Sequence, residues 1–171
     1  MKKVIVAISG ASGFRLGIKA FRSIPSSYEK HLILSQSAQK VASLEEDYYP
    51  NDMIEAPMAS GSFGADIMLV VPCSMNTLAK VAVGIADNLI TRAASVMIKE
   101  RKTLLLAPRE LPLSPIALEN MHKLSQLGVI IAPPILAYYS EQQTLEEMEK
   151  FIIGKWFDAV GIKHDLYKRW Q

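Results

Sequence analysis

Cysteine is scarce in this chain of 171 residues, which contains only Cys73. A single thiol can form neither an intrachain disulfide nor a multi-cysteine zinc site. Cys73 follows an apolar run and has no histidine near it in sequence, so we interpret it as a small buried residue and not as a nucleophile. The lack of cysteine pairs is typical of a reducing compartment, and we expect a cytoplasmic location.

A charge excess and long hydrophobic runs are also missing. The chain has 19 basic and 17 acidic residues, a net charge of +2, and these are spread along the sequence. Nucleic acid binding is therefore not expected. No segment reaches the ~18 unbroken apolar residues of a membrane span, and small polar residues from Ser9 onward interrupt the N-terminal run too early for a signal peptide. These absences predict a soluble protein.

Hydrophobic residues, in contrast, make up 50% of the sequence. Two explanations are open: a rich core, or an outer surface covered by sister subunits. Because monomers rarely expose large apolar patches, the second explanation is favoured and a homo-oligomer is expected. The length fits one domain spanning residues 1–171.

Short apolar runs recur along the chain, each followed by turn residues and then by a helical pattern. They are Val4 to Ile8, His31 to Leu34, Ile67 to Val71, Thr103 to Ala107 and Val129 to Ala132. This alternation predicts parallel strands with crossover helices on both faces. We therefore predict an α/β fold: a single, doubly wound, mostly parallel sheet of the Rossmann-like type.

Ligands of such sheets bind beyond the carboxyl ends of the strands. The residues predicted to lie there are mostly small, hydroxylated or charged: 9–13, 35–37, 72–77, 108–110 and 133–134. The stretch from Tyr49 to Ser62 has no clear periodicity and is interpreted as an active-site loop.

The turn Gly10-Ala11-Ser12-Gly13 follows the first predicted strand and opens a helix. Its glycines allow close backbone approach, and its amides and the Ser12 hydroxyl can face an anion. A turn that only packs helix on strand is the alternative. A dinucleotide site would need an acidic residue after the second strand, where Ser35-Gln36-Ser37 stands instead.

The segment Ser74-Met75-Asn76-Thr77 contains three good helix N-caps, of which only one can serve. The remaining polar groups can bond a ligand such as a flavin ring or its phosphate. A capped helix without a ligand is the alternative.

Charged residues stand at two further places. Arg92 and Lys99 are seven residues apart in a helical pattern and so share one helix face, which suits an anion or, alternatively, solvent. Arg109 and Glu110 directly follow a buried strand. Such a pair can move a proton, or the two groups can neutralise each other.

Several motifs together carry a family resemblance. They are Ile8-Ser9-Gly10-Ala11-Ser12-Gly13, Ala59-Ser60-Gly61-Ser62, Pro72-Cys73-Ser74, Asn88-Leu89-Ile90-Thr91-Arg92-Ala93-Ala94, Lys99-Glu100-Arg101, Pro108-Arg109-Glu110-Leu111-Pro112 and Leu118-Glu119-Asn120-Met121. From Lys3 to Trp170 the chain resembles the flavin prenyltransferases of the UbiX family. The resemblance implies transfer of dimethylallyl from dimethylallyl monophosphate to N5 and C6 of reduced FMN, without a metal. It further implies a dodecamer and a UbiD-type decarboxylase that receives the prenylated FMN.

Site residues follow from the same resemblance, position by position. The implied FMN contacts are Gly10, Ala11, Ser12, Ser35, Ser74, Met75, Asn76, Thr77 and Arg109. The implied contacts to the substrate phosphate are Arg92, Lys99, Arg109, Tyr139 and Lys155. The implied catalytic residues are Ser12, Glu45, Glu110 and the aromatic Trp170. Lys155 stands where relatives often carry Arg, and Ile54 stands where some relatives carry Trp.

The C-terminal part is predicted to be a helix that starts near Thr144, followed by a tail. Because an exposed terminal Trp is unusual, the segment of about 144–171 is expected to dock on a neighbouring subunit. Two other functions stay open: an FMN-dependent cysteine decarboxylase of the related family, which shares the flavoprotein fold, and a non-catalytic flavin-binding subunit.

Overall fold

The computed structural model describes residues 1–42, 45–138 and 142–169. The strands are β1 (Lys2–Ile8), β2 (Tyr28–Leu34), β3 (Tyr49–Pro50), β4 (Ile67–Cys73), β5 (Thr103–Pro108) and β6 (Ile130–Ile131). The helices are α1 (Phe14–Ser23), α2 (Gln36–Gln39), α3 (Met75–Val83), α4 (Leu89–Lys99), α5 (Pro115–Gln126) and α6 (Leu145–Val160), with two 3₁₀ turns, Pro57–Ala59 and Gly61–Phe63.

The six strands form one parallel sheet in the order β3-β2-β1-β4-β5-β6. The α/β prediction is confirmed, and all five predicted strands are present. The short β3 was not predicted, because its two residues open the stretch interpreted as a loop. The order reverses between β1 and β4, where a crevice opens in sheets of this type.

Side chains of β1 alternate between two cores, as the two-residue period of a strand requires. Val4 and Val6 belong to the core beneath α1 and α6, whereas Ile5 and Ala7 belong to the core beneath α3, α4 and α5. The buried central strands thus read as continuous apolar runs because both faces of the sheet are covered.

Close packing fixes α1 on the sheet. A Cβ added to Gly17 would lie 2.3 Å from the backbone oxygen of Val71 in β4. Real Cβ atoms do not approach an oxygen this closely, so glycine permits the contact between helix and strand. The N-terminus of α1 is thereby fixed above the carboxyl ends of β1 and β4.

The tail described up to residue 169 packs on α6 of the same chain. Asp158 of α6 accepts hydrogen bonds from His164 Nε2 (3.0 Å), Tyr167 Oη (2.5 Å) and both terminal nitrogens of Arg169 (3.2 and 2.8 Å). Partial burial tends to raise the pKa of Asp158, but these three donors outweigh it and lower that pKa to about 2. Docking of the C-terminal segment on a neighbouring subunit stays a prediction.

None of the helices within the described ranges is long and apolar enough to cross a membrane.

Candidate cofactor and substrate site

Three loops meet at the carboxyl edge of the sheet, after the adjacent strands β1, β2 and β4. The backbone N–H of Ser74 donates to Ser9 Oγ (2.8 Å), and the N–H of Gly10 donates to Ser35 Oγ (3.0 Å). These bonds join the loops predicted to hold the cofactor into one surface. The predicted position of these loops at one edge of the sheet is confirmed, and their binding of the cofactor stays a prediction.

Ser9 is the residue that sequence reasoning missed. Its side chain is buried, and its N–H donates to the carbonyl of Pro72 (3.2 Å). The available signal was its position directly after a strand buried on both faces, where a polar side chain requires a partner. Ser9 therefore holds the β4 loop against the β1 loop.

Ser35 and Ser74 also cap helices. Ser35 Oγ accepts the N–H of Ala38 (3.2 Å), and Ser74 Oγ accepts the N–H of Thr77 (3.2 Å) while donating to Thr77 Oγ1 (3.0 Å). Ser74 is thus the cap of α3, which leaves Asn76 exposed with an amide that has no partner within the described ranges. Asn76 is the polar group of this segment best placed to meet a ligand.

The Gly10 turn has the conformation that its glycines predict. Gly10 and Gly13 have φ values of 108° and 83°, in the left-handed region that other residues rarely adopt. Among the residues that the structure describes, no side chain caps α1. The backbone N–H groups of Ser12 and Gly13 donate to no protein group in the part of the chain described, so they are available to an acceptor.

A cavity of about 580 Å³ adjoins this turn, between α1, the β5 and β6 exits and α6. Its lining is mostly apolar and includes three charged residues. The lining residues are Ala11, Gly13, Phe14, Arg15, Leu16, Val41, Arg109, Pro134, Leu136, Leu145, Met148, Glu149 and Ile152.

Arg109 and Glu110 are both exposed and do not form an ion pair with each other. Arg109 Cδ would lie 3.5 Å from a Cβ on Gly13, so the guanidinium stem rests on the Gly10 turn. Glu110 Oε1 accepts the N–H of Leu111 (3.3 Å). The interpretation that these two charges neutralise each other is wrong, and both remain open to a ligand.

Arg92 and Lys99 are exposed on α4, as their spacing predicted, but Lys99 lies far from Arg109. Lys99 ends α4 at the amino edge of the sheet and forms an ion pair with Glu100. That hydrogen bond, together with the charge of Lys99, lowers the pKa of Glu100. Arg109 lies at the other end of β5, whose six residues span roughly 20 Å.

The first backbone N–H groups of α4 already donate to acceptors within the protein. Asn51 accepts the N–H of Leu89 at its carbonyl (2.8 Å) and the N–H of Ile90 at Oδ1 (2.8 Å). Asn88 Oδ1 accepts the N–H of Thr91 (3.0 Å). Arg92 therefore offers only its side chain to an anion.

Lys155 is exposed on α6 and shares a helix face with the cavity residues Met148 and Ile152. Glu45 is exposed near Arg22, at the opposite end of α1 from Gly13. The hydrogen bond to Glu46, with a smaller charge contribution from Glu45, raises the pKa of Arg22. One chain thus brings Lys155 near the cavity but does not bring Glu45 there.

Two predicted residues, Tyr139 and Trp170, lie outside the described residues. Cys73 is buried as predicted, and burial raises the pKa of its thiol to about 12. A protonated thiol is a poor nucleophile. In the described ranges no group of three or more His, Cys, Asp and Glu side chains could hold a metal ion.

Comparison with known proteins gives a consistent result. The Flavoprotein family matches residues 1–156. The chain is 45% identical to a flavin prenyltransferase UbiX of Campylobacter jejuni, over 99% of this chain and 98% of that protein.

Two solved structures are similar over nearly the whole chain. A dodecameric FMN-dependent Ubix-like decarboxylase of Escherichia coli O157:H7 has a TM-score of 0.90 and 39% identity, covering 99% of both chains. AnUbiX (PadA1), in complex with FMN and dimethylallyl pyrophosphate, has a TM-score of 0.92 and 37% identity, covering 99% of this chain and 97% of that one.

Proposed function

Because this chain belongs to the flavin prenyltransferases of the UbiX type, within the Flavoprotein family, we propose which of its residues carry out the transfer of dimethylallyl to FMN. The chain is a flavin prenyltransferase, and FMN is its cofactor. Reduced FMN, when bound, supplies the nucleophile that accepts the dimethylallyl group at N5 and C6. The residues of the chain bind and orient FMN and the prenyl phosphate, and they neutralise the phosphate that leaves.

The joined loops fit FMN. The free N–H groups of Ser12 and Gly13 suit the cofactor phosphate, since a glycine turn before a helix binds anions. The exposed amide of Asn76, next to the Ser74 cap, suits the polar edge of the isoalloxazine ring. Arg109 lies between these loops and the cavity and can contact both ligands.

Lysine and arginine side chains bind the phosphate that leaves dimethylallyl monophosphate. Arg109 and Lys155 lie on the cavity side of the chain, and Arg92 and Lys99 lie on α4. Guanidinium and ammonium donors bind phosphate through short charge-assisted hydrogen bonds and stabilise the charge that develops as the C–O bond breaks. Tyr139 completes the proposed set.

The phosphate site is shared between subunits in this proposal. Lys99 and Arg109 lie at opposite ends of β5, so one chain does not bring both to one phosphate. A second subunit can supply Lys99 and Arg92. The dodecameric assembly of the Escherichia coli neighbour, which this chain matches over 99% of its length, supports assembly here.

Glu110 is the proposed proton-handling group. Its carboxylate is exposed beside Arg109 and forms no ion pair within the described ranges. Ser12 lies at the open end of the Gly10 turn and is proposed to contact the reacting edge of the flavin. Glu45 and Trp170 keep, as proposals, the catalytic roles that the family resemblance implies.

The joining of the Gly10 turn to the Ser74 loop beside Arg109 carries this assignment. Its test is to mix the purified protein, reduced FMN and dimethylallyl monophosphate without oxygen and to measure the mass of the flavin. We expect the flavin to gain the mass of one dimethylallyl group less one hydrogen, because the transfer releases a proton. Failure to bind FMN, or preferential binding of NAD, would contradict the proposal. We propose that a UbiD-type decarboxylase receives the product and that both proteins act in the cytoplasm.

A cysteine decarboxylase activity is not favoured by the described histidines. His164 is bound to Asp158 in the tail, and His31 pairs with Glu29 (2.9 Å) on β2, before the carboxyl edge is reached. His122 is exposed on α5. None of the three lies in the Gly10 turn, in the Ser74 loop or in the lining of the cavity.

A further inference from the structure

The first turn of α1 contains a cation that differs from the other basic residues of the helix. Lys19 pairs with Glu149, and Arg22 pairs with Glu46. The guanidinium of Arg15 has no ion pair or hydrogen bond within residues 1–42, 45–138 and 142–169. A cation in the first turn also faces the positive end of the helix dipole. A residue that is locally unfavourable in this way is expected where function requires it.

Arg15 lines the 580 Å³ cavity together with Arg109 and Gly13. The guanidinium of Arg109 is likewise without a partner in the described part of the chain. Of the described residues that line the cavity, Glu149 is the one carboxylate, and Lys19 already neutralises it. The cavity therefore has an apolar wall and two cations free to bind an anion.

The proposed phosphate site does not use Arg15. Arg92, Lys99, Arg109 and Lys155 already bring four positive charges to a phosphate monoester, whose charge is about −1.5 to −2 at neutral pH. A further guanidinium beside them is in excess for one phosphate. A diphosphate has a second group of oxygens, and a guanidinium fork binds such oxygens in pairs.

We infer that Arg15 binds the distal phosphate of a prenyl diphosphate and lets this chain use dimethylallyl diphosphate as well as the monophosphate. The inference rests on the proposed function. The bond from C1 of the allyl group to the ester oxygen breaks, and its electron pair leaves with the diphosphate. C1 bonds to the nucleophilic atom of reduced FMN, which releases one proton. Arg15 is thus a specificity-determining residue for the leaving group.

The kinetic test compares Arg15→Met, Arg15→Lys and the matched control Arg22→Met, which removes the same side chain at the other end of α1. With the diphosphate, Arg15→Met should lower kcat/KM about tenfold or more, which equals about 1.4 kcal/mol. With the monophosphate it should stay within about twofold of the parent. Arg15→Lys should recover part of the lost kcat/KM, and Arg22→Met should leave kcat/KM unchanged for both substrates. The inference would be overturned if the unsubstituted protein does not use the diphosphate. It would also be overturned if Arg15→Met lowers kcat/KM equally for both esters.

A binding measurement separates this inference from the proposed function. Calorimetry on the FMN-loaded protein would compare inorganic pyrophosphate with inorganic phosphate, which needs no prenyl transfer. We expect tighter binding of pyrophosphate, with the difference lost in Arg15→Met. If the unsubstituted protein and Arg15→Met bind pyrophosphate equally well, the proposed diphosphate site at Arg15 is rejected. Arg15-dependent pyrophosphate binding without any prenylated FMN from either ester would retain the diphosphate site and reject the proposed transfer.

Discussion

At the scale of single residues, the surroundings of Glu110 allow a direct test of its proposed catalytic role. Its carboxylate accepts one backbone N–H and has no ionic partner within the described ranges. Replacing it with Gln keeps the shape and removes only the titratable group.

Glu110→Gln should therefore slow prenyl transfer by about 10²-fold or more while FMN affinity stays nearly unchanged. Single-turnover rates and an FMN titration would check both parts. Glu119→Gln, the same substitution at an exposed carboxylate of α5 that has no role in the proposed site, is the control. An unchanged rate would remove Glu110 from the chemistry.

The lowered pKa of Asp158 predicts how the stability of the fold changes with pH. Its pKa of about 2 in the folded protein lies below the ordinary value of 3.8, so folding favours the charged form. The stabilisation is fully present above about pH 4 and is lost as the pH falls through about 2.

Asp158→Asn should lower the free energy of unfolding by about 1–2 kcal/mol at neutral pH, because three donors lose a charged acceptor that is only partly buried. Urea unfolding at several pH values would measure the difference from the parent, which should shrink toward pH 2. A difference that does not change with pH would show that the charge of Asp158 is not what holds the tail.

Residue by residue, the sequence predicted the polar groups that end strands and could not predict their partners. Ser35, Ser74 and Arg109 were found by position. Ser9 was missed because its role depends on contact with a loop 65 residues away. The absence of an Arg109–Glu110 ion pair depends on side-chain directions that adjacency in sequence does not specify.

At the scale of elements, two helices contain a glycine in their interior for different reasons. A Cβ on Gly17 would meet backbone, the oxygen of Val71 at 2.3 Å. A Cβ on Gly154 would meet ring atoms of the tail, Tyr167 Cδ1 at 2.4 Å and His164 Cε1 at 2.8 Å. The backbone of β4 is fixed within the sheet and cannot move away from a Cβ at position 17. The side chains of the tail can move away from a Cβ at position 154.

Gly17→Ala should thus lower the free energy of unfolding by about 2–3 kcal/mol despite the ~1 kcal/mol gain in helix propensity. Gly154→Ala, the matched substitution, should change overall stability by less than about 1 kcal/mol and instead expose the tail to proteolysis after Gly161. Urea unfolding and limited proteolysis would separate the two. Equal unfolding energies for both variants would contradict the distinction.

Elements with strong local signals were predicted well. Thr144 caps α6, and its capping box with Glu147 is readable from sequence. The two-residue β3 has no such signal, since a pair of residues shows no period and its pairing with Ile33 and Leu34 is tertiary. The contacts of the tail with α6 are tertiary in the same way.

At the scale of the whole molecule, the proposed phosphate site is divided between α4 and the cavity side of the chain. Lys155→Ala should weaken binding of the prenyl phosphate by about 1.5–3 kcal/mol, the usual contribution of a charge-assisted contact, and leave FMN affinity nearly unchanged.

Subunit mixing tests the division directly. An inactive Arg92→Ala, Lys99→Ala protein and an inactive Tyr139→Phe, Lys155→Ala protein would be dissociated, mixed and reassembled. We expect activity to return, because some junctions then contain one intact half from each chain. No recovery in confirmed mixed oligomers would mean that each site is built within one chain.

The length of β5 has a consequence for the timing of activity. Its six residues keep Lys99 and Arg109 at opposite ends of a rigid strand. In the proposed arrangement, a newly synthesised chain carries halves of two phosphate sites and no complete one. Catalysis would begin only when chains meet, so the rate in a dilute cell extract would rise faster than in proportion to the number of chains.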